Sequence, residues 1–135
     1  MYNGNMKIIK LKEVDSTHRY IKDYITENGY TEPLCVLCDY QTQGIGSRGN
    51  SWLGKKGNLF FSFVMDKEFL PEDLPLQSSS IYFSYILKDI LKDLGSKVWL
   101  KWPNDFYLDD KKIGGTITTV SKNLIYCGIG INLKN

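Results

Sequence analysis

Residues that could bind an anion are concentrated in three segments of the 135-residue sequence. In residues 41–58, a glycine-rich loop carries Arg48, and successive amides of such a loop form a concavity that binds anions. In residues 101–115, Lys112 precedes two glycines, where an ammonium group could meet a phosphate or a carboxylate. In residues 128–132, glycines two apart on a strand leave a flat strip on one face. Together the three segments predict a site for a small anionic ligand.

Each segment also has a simpler explanation, which the residues alone leave open. The glycine-rich run could be a surface loop, and Lys112 could be the solvated end of a hairpin. Asn104 and Asp105 could only cap their own turn, although the same side chains bind hydrated Mg²⁺ in other proteins. Arg48 and Trp52 within the glycine-rich run, followed by a second polar cluster, favour a ligand-binding loop.

Charge and cysteine content argue against several other classes of protein. A net charge of +2 argues against a nucleic-acid-binding surface. No stretch of about 18 apolar residues predicts a membrane span, and no signal peptide is recognised at the start. Three cysteines are too few for a disulfide framework, which favours a reducing, cytoplasmic compartment. Cys35 and Cys38 are predicted to point to opposite faces of one strand, so we interpret them as core residues rather than metal ligands.

The elements that must position these segments follow from periodicity and turn residues. Apolar residues at helical spacing predict two helices, one capped near Ser16 and ending at Gly29, the other beginning at 78–80 and ending at Gly95. The predicted order is β-α-β-loop-β-α-β-β-β-β, with strands at 6–12, 34–40, 58–65, 97–101, 106–108, 112–120 and 123–133. This order predicts an α+β domain with a mixed, largely antiparallel sheet and helices packed mainly on one face.

Six short motifs resemble, in order, those of the catalytic domain of biotin protein ligases. The resemblance is collinear over about residues 6–133, and Lys-Trp-Pro-Asn-Asp is its most specific part. It implies a fold like that of class II synthetases and biotin ligases. The motifs are Asp15-Ser16-Thr17, Gly44 to Trp52, Asn58-Leu59, Lys101 to Asp105, Lys112 to Gly115, and Gly128 to Asn132.

The resemblance implies a two-step ligase. Biotin and MgATP would give biotinyl-5′-AMP and pyrophosphate, and the biotinyl group would then pass to a lysine of the biotin carboxyl carrier domain of acetyl-CoA carboxylase. No nucleic acid or membrane partner is expected, and a homodimer is left open. Adenylation brings two anions together, which suits preorganised cations and amide dipoles and needs no covalent enzyme intermediate.

The resemblance also implies a role for each matching residue. The catalytic residues would be Lys112, Arg48 and Asp105. The substrate-binding residues would be Ser16, Thr17, Gln41, Gly44, Trp52, Gly115, Gly128 and Gly130. The ATP-binding residues would be Asn104, Asn132 and Lys101, and Asp105 and Asn132 would hold Mg²⁺.

The sequence departs from the family pattern in the glycine-rich loop and in its extent. Family arginines are replaced by Ile45, Ser47 and Asn50. Residues 1–135 are expected to form one catalytic domain without an N-terminal DNA-binding domain and incomplete at the C-terminus. Two alternatives remain: a lipoate–protein ligase or octanoyltransferase of the same superfamily, and a catalytically inactive biotin-binding fragment. His18 is interpreted as a helix-start residue only.

Overall fold

The computed structural model describes residues 6–45, 51–52 and 58–132. The strands are β1 Lys7–Val14, β2 Leu34–Gln41, β3 Gly44–Ile45, β4 Ser51–Trp52, β5 Leu59–Asp66, β6 Trp99–Lys101, β7 Asp105–Leu108, β8 Lys111–Ser121 and β9 Leu124–Ile131. The helices are α1 Thr17–Asn28 and α2 Ser79–Asp93.

The main sheet of the described residues has seven strands in the order β1-β2-β5-β9-β8-β7-β6. Only β1 and β2 are parallel, joined by the crossover helix α1, and every other neighbouring pair is antiparallel. Strands β3 and β4 form a separate two-stranded ribbon. The α+β class and the mixed, largely antiparallel sheet predicted from the sequence are therefore confirmed.

Helix α1 begins and ends where its capping residues predict. The Ser16 hydroxyl accepts a hydrogen bond from the Arg19 N–H at 3.2 Å, which satisfies one of the free donors of the first turn. At the other end, Gly29 has φ of 79°, and its N–H donates to the Ile25 carbonyl. A left-handed residue at this position favours glycine and stops the helix.

The two helices close two separate cores of the sheet. Strand β9 shows the separation, because successive side chains of a strand point to opposite faces. Tyr126 belongs to the core that α1 closes with Ile21. Cys127 belongs to the core that α2 closes with Phe83, whose ring packs edge-on against Phe63 at 5.1 Å. Both faces of β9 are therefore buried.

Cys38 lies in the core, as predicted, and so does Cys127. Cys38 and Cys127 are buried and Cys35 is half-buried, and all three are free thiols. Burial raises the pKa of both Cys35 and Cys38 to about 11. The thiolate is the reactive and metal-binding form, so these side chains are unreactive at neutral pH.

The register of the sheet brings polar and glycine positions into two rows on the α1 face. Ser62 lies opposite Gly128, which lies opposite Ile117. In the adjacent row, Asp105 lies opposite Gly115, and Gly115 lies opposite Gly130. Residues that are far apart in sequence thus share one small patch beside the first turn of α1.

We expect Gly114→Ala to destabilise the sheet. A Cβ atom at Gly114 would collide with the Gly130 carbonyl oxygen and stand 3.0 Å from Cα of Ile131, both of them backbone atoms of β9. Overpacking against groups that cannot rotate away costs about 1–3 kcal/mol or more. Urea unfolding should show the loss, with Gly115→Ala as the control, because its added Cβ would have contacts of 3.3 Å. Equal stabilities of the two variants would contradict this prediction.

Candidate active site

A cavity opens on the α1 face of the sheet, between the N-terminus of α1 and the ends of β5, β7, β8 and β9. Most of its lining groups are polar side chains or glycines, so the cavity can accept a ligand with hydrogen-bonding groups. It is lined by Ser16, Thr17, His18, Gln41, Ser62, Asn104, Asp105, Lys112, Gly115, Thr116, Ile117, Gly128, Ile129 and Gly130.

One side of the cavity is a buried hydrogen-bond network. The backbone N–H of Thr17 donates to Oε1 of Gln41 at 2.8 Å, and the Thr17 hydroxyl lies 3.2 Å from the same oxygen. Oγ1 of Thr17 also lies 2.8 Å from Oγ of Ser62. Thr17, Gln41 and Ser62 are all at most 7% exposed, so these bonds form away from bulk water.

The donor is fixed in one hydrogen bond of this network, that between Thr17 and Gln41. A backbone N–H can only donate, so the Gln41 atom facing Thr17 must be the carbonyl oxygen, and the amide NH₂ faces elsewhere. If the Thr17 hydroxyl gives its one hydrogen to Gln41, then Ser62 must donate to Thr17. The lone pairs of Ser62 and the NH₂ of Gln41 then remain for a ligand.

His18 lines the cavity as well, although the sequence interpretation gave it no part in the site. It is 4% exposed, and its Nε2 lies 3.2 Å from the Thr119 hydroxyl. Its ring meets the Tyr126 ring edge-on with centroids 6.4 Å apart. Burial, and to a smaller extent the charge of Lys22, lower the pKa of His18 to about 4, so the imidazole is neutral at physiological pH.

The stability of the chain should therefore fall in mild acid. Above about pH 6.5, His18 is neutral in both the folded and unfolded chain and contributes nothing to the pH dependence. As the pH falls from 6.5 towards 4, only the unfolded chain takes up the proton. The free energy of unfolding should then fall by up to about 1.4 kcal/mol per pH unit. Urea unfolding between pH 7 and pH 4 should show a shallower decline for His18→Gln, and parallel curves would contradict this assignment.

At the cavity's opposite end, Lys112 and Asp105 form an ion pair. Nζ of Lys112 lies 3.2 Å from Oδ1 of Asp105, with side chains that are 42% and 25% exposed. An ammonium group at this exposure remains accessible to a ligand anion. Two of the three predicted catalytic residues are thus brought together, whereas Arg48 lies outside the described residues.

The predicted nucleotide-binding residues are placed unequally. Asn104 lines the cavity, and its side-chain N–H donates to the Thr116 carbonyl at 2.7 Å. Asn132 follows β9, where its Oδ1 accepts from Nδ2 of Asn58 at 3.1 Å. Lys101 does not line the cavity, and its ammonium group lies 5.2 Å from the centroid of the Tyr107 ring.

The protein's own packing requires glycine at two positions of the cavity, whether or not a ligand is bound. A Cβ on Gly128 would stand 3.0 Å from Nδ1 of His18 and 3.2 Å from Oγ of Ser62. A Cβ on Gly115 would stand 3.3 Å from Oδ1 of Asp105. These side chains reach the cavity floor because the glycines have no side chain of their own. Gly130 also lines the cavity.

Two predicted substrate-binding residues are described only through their backbones. Gly44 in β3 pairs with Trp52 in β4. The assignment of these two residues to substrate binding stays a prediction.

Several cavity residues were not found from the sequence. Ser62 carried a signal, because it is a hydroxyl side chain within an otherwise apolar strand of sequence LFFSFVMD. Thr116, Ile117 and Ile129 carried none, because nothing in their local pattern separates them from ordinary strand residues.

A resident metal site is not formed by the described residues. Among residues 6–45, 51–52 and 58–132, no group of three or more His, Cys, Asp or Glu could hold a metal ion. Asp105 is paired with Lys112, and the side-chain oxygen Oδ1 of Asn132 already accepts a hydrogen bond from Asn58. The Mg²⁺ contacts expected of Asp105 and Asn132 stay a prediction.

No helix within the described part of the chain is long and apolar enough to cross a membrane.

Residues 11–133 match the model of the Biotin/lipoate A/B protein ligase family. The chain is 33% identical over 138 residues to the Bifunctional ligase/repressor BirA of Salmonella typhimurium, covering 97% of this chain and 41% of that protein. It is 33% identical over 135 residues to Biotin--protein ligase 2 of Arabidopsis thaliana, covering 90% and 39%. The chain therefore spans about 40% of the length of these curated relatives.

A solved structure shares the fold over nearly the whole chain. The biotin acetyl coenzyme A carboxylase synthetase of Helicobacter pylori, with bound biotinylated ATP, superposes with a TM-score of 0.93 at 40% identity. The superposition covers 97% of this chain and 63% of that one.

Proposed function

This chain belongs to the biotin/lipoate A/B protein ligase family, and on that premise we propose that it activates biotin with ATP and transfers the biotinyl group to a protein lysine. The acceptor would be a biotin carboxyl carrier domain of acetyl-CoA carboxylase, modified in the cytoplasm. No nucleic acid or membrane takes part in this reaction, and a homodimer is compatible with it.

The observation that carries the choice of biotin is the buried polar network beside the cavity. The biotin head group is a cyclic urea, with one carbonyl acceptor and two N–H donors in a flat ring. The Ser16 hydroxyl and the Gln41 NH₂ can donate to the carbonyl, and lone pairs of Thr17 and Ser62 can accept from the ring N–H groups.

The same network disfavours lipoate and octanoate, the substrates of the superfamily alternative. A dithiolane ring or an alkyl chain would cover Thr17, Gln41 and Ser62 without offering hydrogen bonds in return. A site built to hydrogen-bond a substrate rejects an analogue that lacks those groups by about 10⁴–10⁵, because its buried polar atoms are left unpaired. The buried hydroxyls therefore favour biotin.

The chemistry of the proposed first step explains the need for Lys112. A biotin carboxylate oxygen attacks the α-phosphorus of ATP, a new P–O bond forms, and the bond to pyrophosphate breaks. Because both reactants are anions, their approach is opposed until a cation lies between them. Lys112, which pairs with Asp105 at the cavity end, would supply that charge.

In the proposed second step, the acceptor lysine's amine attacks the carbonyl carbon of the mixed anhydride. An amide bond forms, AMP leaves, and the amine loses a proton.

Asn104, Asn132 and Lys101 would contact the nucleotide, and Mg²⁺ would arrive with the phosphates of ATP. Glycine-rich-loop residues including Arg48 would enclose the phosphate.

A pyrophosphate-release assay tests this proposal. The chain, biotin and MgATP should release pyrophosphate in proportion to adenylate formed, whereas lipoate and octanoate should not. Release with lipoate but not biotin would support the lipoate ligase alternative. Biotin binding by calorimetry without pyrophosphate release would support the inactive-fragment alternative.

A further inference from the structure

The cavity floor contains a buried hydrogen-bonding atom that the described residues leave without a hydrogen-bond partner. Nδ1 of His18 is shielded from solvent and has no hydrogen-bond partner among the described residues. The other ring nitrogen, Nε2, is anchored at 3.2 Å from the Thr119 hydroxyl. Leaving a buried polar atom unpaired costs about 1–3 kcal/mol, so such an atom calls for an explanation.

The unused nitrogen converges with a second acceptor at one point. Nδ1 of His18 and Oγ of Ser62 lie 3.0 and 3.2 Å from the position that a Cβ on Gly128 would occupy. When the Thr17 hydroxyl donates to Gln41, Ser62 donates to Thr17 and presents its lone pairs here. In the tautomer whose Nε2–H donates to Thr119, the neutral imidazole also presents a lone pair at Nδ1.

We propose that His18 is a specificity-determining residue of the cavity, whose Nδ1 accepts a hydrogen bond from a ring N–H of the acyl substrate. This inference rests on the proposed function, because it takes the substrate to be a cyclic urea. His18 and Ser62 form a polar floor, which binds a ring carrying N–H groups more tightly than a ring without them.

Two amide substitutions separate the two nitrogens of the ring. An asparagine at position 18 puts a polar atom near the place of Nδ1 and loses the contact with Thr119. A glutamine puts its polar atom near the place of Nε2 and loses the one at Nδ1. If the substrate uses Nδ1, then His18→Gln should bind biotin roughly 10-fold more weakly, and His18→Asn should bind nearly as the natural chain does.

Calorimetric titrations of biotin and of lipoate provide the test, with thermal unfolding of each variant alongside. We expect His18→Gln to lose selectivity for biotin over lipoate, even where its melting temperature matches that of the natural chain. A purely structural role would weaken both ligands together, and the selectivity ratio would not change. That result, or equal biotin affinities for the two variants, would overturn the assignment of His18.

Biotin binding by the natural chain distinguishes a failure of this inference from a failure of the proposed function. If the natural chain binds biotin and His18→Gln binds equally well, only the role of His18 fails. If it binds no biotin while its fold is intact, the proposed function fails and this inference fails with it.

Discussion

Replacing Lys112 with alanine is expected to lower the rate of biotinyl-adenylate formation by roughly 10²–10³ while leaving biotin affinity within a few-fold of its original value. The ammonium group lies 3.2 Å from the Asp105 carboxylate at the cavity end, away from the buried Thr17 network. On the proposed function it would act where a carboxylate and a phosphate meet, and this charge is needed most in the transition state. Biotin-dependent exchange of pyrophosphate into ATP measures the step, and calorimetry measures biotin binding.

Lys111→Ala is the matched control for this experiment. Lys111 is the preceding residue of β8, carries the same charge and is exposed, but it does not line the cavity. Both variants remove one positive charge from the same strand, so general effects of charge on ATP binding should be equal. An exchange rate for Lys112→Ala that matches that of Lys111→Ala would remove Lys112 from the catalytic residues.

Replacing Thr17 with valine is expected to weaken biotin binding by roughly 5- to 150-fold, which corresponds to about 1–3 kcal/mol. Valine keeps the shape and β-branching of threonine but removes the hydroxyl that lies 3.2 Å from Gln41 and 2.8 Å from Ser62. Both partners would lose a buried hydrogen bond, and the ligand would meet a side of the cavity with fewer polar groups. Calorimetric titration with biotin gives the affinity.

Thr26→Val controls for the same substitution elsewhere on α1. The Thr26 hydroxyl donates to the Lys22 carbonyl at 2.9 Å on the exposed side of the helix, and Thr26 does not line the cavity. It should leave biotin affinity unchanged. If Thr17→Val binds biotin as tightly as Thr26→Val does, the buried hydroxyl does not recognise the ligand.

The order and the type of the main elements could be predicted from local sequence alone. Apolar residues at helical spacing, the Ser16 cap and the Gly29 stop define α1, and turn residues separate β7, β8 and β9. These features depend on contacts within a few residues, which is why they can be recognised without the fold. The segments 101–115 and 128–132 were likewise recognised, because glycines and charged residues interrupt apolar strands there.

Which face of the sheet each helix covers was decided by tertiary structure. Residues of β9 are apolar or small throughout because α1 covers one face and α2 the other. A strand buried on both faces has no alternation of polar and apolar residues, so its sequence does not tell which side chains lie together.

The composition of the cavity likewise depends on strand register. Thr17 contacts Ser62, 45 residues away, and His18 contacts Thr119, 101 residues away. The sequence alone identified Thr17, Gln41 and Lys112 as candidate binding or catalytic residues. Only the pairing of β5 with β9 and of β9 with β8 decided that Ser62 joins them and that Gly128, which has no side chain, lies beneath His18, because a shift of one residue would turn Ser62 to the opposite face.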